Sequence, residues 1–178
     1  AYIHGGICDN MVSRGMTGIL CETVDYIKSK GILAGLAGHD LRVIMSCEKH
    51  SANLDFYMKT LNSGNYWTAG PKLITDSKWK PDPNTIVEPE FGKDEHDNIW
   101  SITPQQTVEF MKEVEKPWIS YKVLGAGAIH PEEGFRYVFK NGADFACVGM
   151  FDFQVVENAN IAVKLLKEEL SRVRPWRS

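Results

Sequence analysis

Residues 118–130 read WISYKVLGAGAIH. An apolar run of this kind predicts a buried strand, yet Lys122 interrupts it and Gly125 and Gly127 follow at once. An unpaired ammonium is costly to bury, so a lysine here implies a partner, a shifted pKa or a place at the strand end. Pro131 and the acids Glu132 and Glu133 then open a helix, as a helix N-terminus prefers. Strand, glycine turn, helix is the repeating unit of a parallel α/β structure, with polar residues gathered where strands end.

Working outward, the same unit recurs. Residues 32–38, ILAGLAG, predict a strand, followed by a helix over 41–50 with Val43, Ile44 and Cys47 on one face. Residues 54–61, LDFYMKTL, predict the next strand, and ADFACVGM after Gly142 the last. A C-terminal helix over about 157–173 carries Ile161, Leu165 and Leu166 at helical spacing. Ahead of these, AYIHGG reads as the end of a strand, with a helix over 17–30 that stops at Gly31.

Five such units with apolar strands predict a parallel sheet covered by helices in a single α/β domain spanning 1–178. No G-x-G-x-x-G follows the first strand, and polar residues stand at the ends of several strands. Both points favour a (β/α)8 TIM barrel over an open doubly wound sheet. Five units leave such a barrel open, so the chain reads as its C-terminal portion, completed by a missing N-terminal barrel segment or by another copy in a homo-oligomer.

One segment breaks the rhythm. Residues 62–102, after the third strand, hold Pro71, Pro81, Pro83 and Pro89, three tryptophans and the acidic run KDEHDN. An insertion this long on the catalytic face of a barrel reads as a lid. Thr103, Pro104 and Gln106 form a capping-box pattern opening the next helix.

Composition excludes several classes. With 43% hydrophobic and 24% charged residues and a net charge of −3, the chain has no electrostatic footprint for nucleic acid or an anionic membrane. It contains no apolar run of membrane-spanning length and opens on no secretory signal, so a cytoplasmic location is expected. Cys8, Cys21, Cys47 and Cys147 lack metal-type spacing and read as buried reduced thiols.

The strand ends deliver His4, His39 with Asp40, Lys59, Lys122 and Asp152 to the expected rim. Two lysines on neighbouring strands would repel, and repulsion with desolvation would free an amine for Schiff-base chemistry. The alternative is that each lysine pairs with a carboxylate. Gly125, Gly127 and Gly149 would let backbone N–H groups approach a phosphate, or they serve tight turns. His4, His39 and Asp40 form an alternative constellation for a divalent metal, while Asp40 equally suits a helix cap. His50, His96 and His130 read as solvated.

The stretches FYMKTL, SYKVLGAGAI and FACVGMFD resemble the last strands of phosphate-binding (β/α)8 barrels, in particular class I aldolases of the deoxyribose-phosphate aldolase type. The resemblance implies a lyase needing no cofactor, with Lys59 as the Schiff-base lysine and Lys122 lowering its pKa. It also implies that Gly125, Gly127 and Gly149 line the phosphate or carboxylate end of a small carbonyl substrate; the rim residues themselves add His39 or Asp152 to move protons and His4 to help hold the substrate. A metal-dependent lyase or hydrolase using His4 and His39, and a non-catalytic barrel-derived binding protein, remain the other readings.

Overall fold

The structure, a computed structural model, describes residues 1–64, 101, 103–168 and 170–177. Most of the expected insertion, and with it His96, therefore lies outside the described residues. Among these residues five parallel strands form one sheet: β1 (Tyr2–Ile3), β2 (Gly35–Gly38), β3 (Phe56–Thr60), β4 (Trp118–Tyr121) and β5 (Phe145–Cys147). They lie side by side in chain order. The sheet thus has no point at which strand order reverses, the feature that a doubly wound sheet requires.

Among the described residues six helices accompany the strands: α1 (Gly5–Ser13), α2 (Thr17–Ser29), α3 (Leu41–Lys49), α4 (Pro104–Met111), α5 (Pro131–Lys140) and α6 (Val155–Lys167). Their ends follow local chemistry. Asp40 caps α3 by accepting from the Arg42 amide at 2.8 Å, and His130 caps α5 through the Glu132 amide at 3.3 Å. Gly31 and Gly142 stop α2 and α5 with φ of 74° and 102°, a region open to glycine at little cost. Among the described residues, no helix is long and apolar enough to cross a membrane.

Strand alternation gives the sheet two distinct faces. Leu36, Tyr57 and Trp118 stand level with one another and belong to the main core, with Val43 and Ile44 of α3 and Phe135 and Val138 of α5. Burying each such side chain contributes roughly 1.5–3 kcal/mol. Lys59 shares this helix-covered face, two residues along from Tyr57 and in register with Gly38 and Ser120. A Cβ on Gly38 would meet Val43 at 2.9 Å, which shows how closely α3 lies over this level of the sheet. The opposite face carries Tyr2, Met58, Tyr121, Phe145 and Cys147, and Tyr2 and Phe145 are about half exposed, at 50% and 48%.

Several boundaries differ from expectation, for physical reasons. The apolar runs continue past the paired residues, because hydrophobicity reports burial whereas a strand needs a ladder: β4 ends at Tyr121, and Lys122 turns out with φ 59°. Residues 5–13 form α1, where AYIHGG suggested only a strand end. Thr103 makes no capping hydrogen bond, so the expected box is not formed. Helix α6 stops at Lys167, and Cys147 is exposed rather than buried.

The chain beyond α6 is tied to the edge of the core. Asp144, just before β5, accepts from Arg174 at 2.6 Å, from Arg172 at 3.2 Å, and from the amides of Trp118 and Arg177, both at 2.9 Å. Arg174 also donates to the carbonyls of Met111 and Val114, so one buried acid and two arginines join the tail to α4 and the strand starts.

Candidate active site

The C-terminal ends of β1, β2 and β4 open onto a cavity of about 890 Å³ whose wall includes His4, Asp9, His39, Tyr121 and Lys122. Its organising element is α1. The helix begins directly after β1, capped by the His4 ring accepting from the Gly6 amide, and so carries Asp9 to the end of β2. There Asp9 Oδ1 accepts from the amides of His39 at 3.0 Å and Asp40 at 3.1 Å, and Asp9 Oδ2 lies 2.7 Å from His39 Nδ1. An ionised carboxylate only accepts, so Nδ1 carries the proton of that bond. In that tautomer Nε2 is the acceptor nitrogen of the ring, the orientation a general base uses.

Tyr121 stands opposite, its ring centroid 5.3 Å from that of His39 and edge-on to it. Burial pushes the phenol up, with Asp9, Cys8 and Tyr2 adding to the effect, so it remains a protonated donor across the physiological range. Its hydroxyl is buried and has no hydrogen-bond partner among the described residues. Gly5 makes this closeness possible: a Cβ there would lie 2.8 Å from both His39 Cε1 and the Tyr121 hydroxyl. Positive charge borders the cavity through exposed Lys122 and through Arg42, which is bonded to Asp40.

Comparison with protein-family models, with curated proteins and with solved structures finds no match. The chemistry is accordingly read from the cavity itself.

The residues singled out by the sequence fare unequally. His39, His4, Asp40 and Lys122 all line the cavity. Lys59 does not line it: the residue is fully buried on the helix-covered face, and its amine donates to the Thr60 hydroxyl at 2.8 Å and the Thr60 carbonyl at 3.1 Å. Its pKa is lowered to about 8, as a Schiff-base lysine requires, but the cause is burial. The charged groups that act on it, Asp9 and Asp40, both raise it, so the expected lowering by Lys122 is not the operative effect.

Gly125 and Gly127 form a tight 3-10 turn with φ of 50° and 91°, and their amides are engaged by the carbonyls of Lys122 and Leu124. Neither they nor Gly149 nor Asp152 lines the cavity, and the Asp152 carboxylate accepts from the Phe153 amide instead. Among the described residues, no group of three or more His, Cys, Asp or Glu side chains is placed to hold a metal. In the expected trio, His4 caps α1, His39 engages Asp9, and Asp40 engages Arg42.

Asp9, Tyr121 and Gly5 were not legible as site residues. Asp9 belongs to a helix opened by two glycines, the poorest start by propensity, and nothing but the histidine before them marks it. Tyr121 reads as one more apolar residue of a strand.

Proposed function

We propose that the chain is part of a (β/α)8-type enzyme acting as an aldolase-type lyase on a small anionic carbonyl compound, with His39 rather than Lys59 as its working base. The observation that carries this reading is the Asp9–His39 pair, closed at 2.7 Å and set at the cavity wall beside the Tyr121 hydroxyl. His39 Nε2 takes the proton from the hydroxyl on the carbon β to the substrate carbonyl, the Cα–Cβ bond breaks, and the alkoxide on Cβ becomes the carbonyl of the fragment released. The electron pair moves onto the carbonyl oxygen as an enolate, to which Tyr121 donates, and imidazolium His39 returns its proton when the enolate is quenched. Lys122 faces the anionic end of the substrate. The outer edges of β1 and β5, unpaired among the described residues, are where further parallel strands would complete the barrel.

Because an enolate exchanges its carbon-bound proton with solvent, the test is deuterium incorporation from D2O into a panel of small keto acids and sugar phosphates, followed by NMR. The protein is expected to label at least one compound. His39→Gln should abolish labelling, and Tyr121→Phe should lower it by about 10²-fold. Undiminished labelling by His39→Gln overturns the assignment.

A Schiff-base reading keeps one supporting observation, the Lys59 amine with its pKa lowered to about 8. It would require that amine to leave Thr60 and reach the opposite face of β3. Borohydride reduction with a labelled aldehyde decides it: a stable adduct on Lys59 supports imine chemistry, and its absence leaves His39 as the base.

A further inference from the structure

Lys59 is a charged side chain sealed under the site without lining it, and its neighbours say what it touches. Its amine donates to Thr60 Oγ1 at 2.8 Å, and the same hydroxyl donates to the His39 carbonyl at 3.4 Å. A second route runs through charge, since the acids acting on Lys59 are Asp9, which orients the His39 ring, and Asp40, which caps α3. Both routes reach the residue read above as the base, one through its backbone and one through its orienting carboxylate.

We propose that Lys59 is a positioning residue for His39, holding it from the helix side of the sheet through the Thr60 hydroxyl and through the charge it sets against Asp9. The inference rests on His39 being the base, but the coupling it describes is measurable without turnover. Charged and titratable groups around His39 come from the neighbouring elements: Asp9 on α1, Asp40 and Arg42 at the start of α3, and Tyr121 on β4. Tyr2, His4, Lys122 and Cys147 complete the cavity wall. Against this background Lys59 is the fully buried cation, and its ammonium opposes a second positive charge on the His39 ring while partly neutralising Asp9.

The experiment follows the His39 ring by NMR across pH in ¹³C,¹⁵N-histidine-labelled protein, with the resonance assigned by its loss in His39→Gln. In Lys59→Met, circular dichroism checks the fold, and the titration midpoint of His39 is expected to move upward by about half a pH unit or more. A folded Lys59→Met variant with an unchanged midpoint overturns the proposal and leaves Lys59 a structural residue. Should that variant not fold, the wild-type protein supplies the reading: Lys59 ¹³Cε and the His39 ring should share an inflection over the same pH interval, and no shared inflection is equally fatal. If the coupling is present but His39→Gln still catalyses deuterium exchange, the function assigned to His39 fails while the physical link to Lys59 stands.

Discussion

At the scale of single residues, Lys59 carries the sharpest energetic consequence. Its amine is fully buried and its pKa falls from 10.5 to about 8 because burial disfavours the charged form. Between those two values the unfolded chain holds the proton that the folded chain has lost, so this group makes stability rise with pH from about 8 to 10.5. Below about pH 8 both states are protonated and the folded chain bears the full cost of the buried ammonium. Cys8, pushed up to about 12 by burial, acts in the opposite sense above its unfolded value of 9.0. Only the difference between variants isolates the lysine. Lys59→Met is therefore expected to unfold at an equal or higher temperature than wild type at pH 7, with the gap closing toward pH 10. A variant markedly less stable at pH 7 would show that the bonds to Thr60 outweigh desolvation. The sequence announced this lysine as anomalous, since it interrupts an apolar run. Which face of β3 it takes was not legible, because one residue of register exchanges the two faces.

Among the elements, α1 matters most to the site and was the least visible beforehand. Gly5 and Gly6 oppose a helix, and the helix forms because His4 caps it, Cys8 packs into the core, and Asp9 fastens it to the end of β2. Gly5 is exempt from the usual advantage of alanine in a helix, about 0.5–1 kcal/mol, because its missing Cβ leaves room for the His39 ring and the Tyr121 hydroxyl. Gly5→Ala is expected to retain the fold while lowering deuterium exchange by about 10–100-fold, as displacement of reacting groups by an ångström does. Wild-type exchange in that variant would place the catalytic atoms elsewhere. By contrast α2, α3 and α5 were plain in the sequence, because Gly31 and Gly142 stop two of them, Asp40 caps one, and Pro131 with two acids opens another. Such signals act through the local backbone and survive any tertiary context. The box at Thr103 failed for the complementary reason that it needs one particular side-chain bond.

For the whole molecule, the parallel sheet was legible from repeated units, whereas the C-terminal clasp was not, since the expected helix ran to about 173 and so hid Arg172 within it. Asp144 and Arg174 each expose only 1% of their side chains, and Arg172 exposes 7%. Removing the shared acid leaves two cations out of water without a counter-charge. Asp144→Ala should therefore cost about 3–5 kcal/mol in urea unfolding, far more than loss of an exposed ion pair. A cost below about 1 kcal/mol would mean that the arginines find water or carbonyls enough without it.

Asn62 and Ser101 meet across residues 65–100: the Asn62 amide donates to the Ser101 hydroxyl at 3.1 Å, and that hydroxyl lies 3.4 Å from the Asn62 carbonyl. The polypeptide departs from the wall and rejoins it at one doorway, which Asn62 also fastens to Lys122 through that residue's carbonyl. The two ends of the intervening stretch are thereby anchored to one another and to the chain just beyond β4.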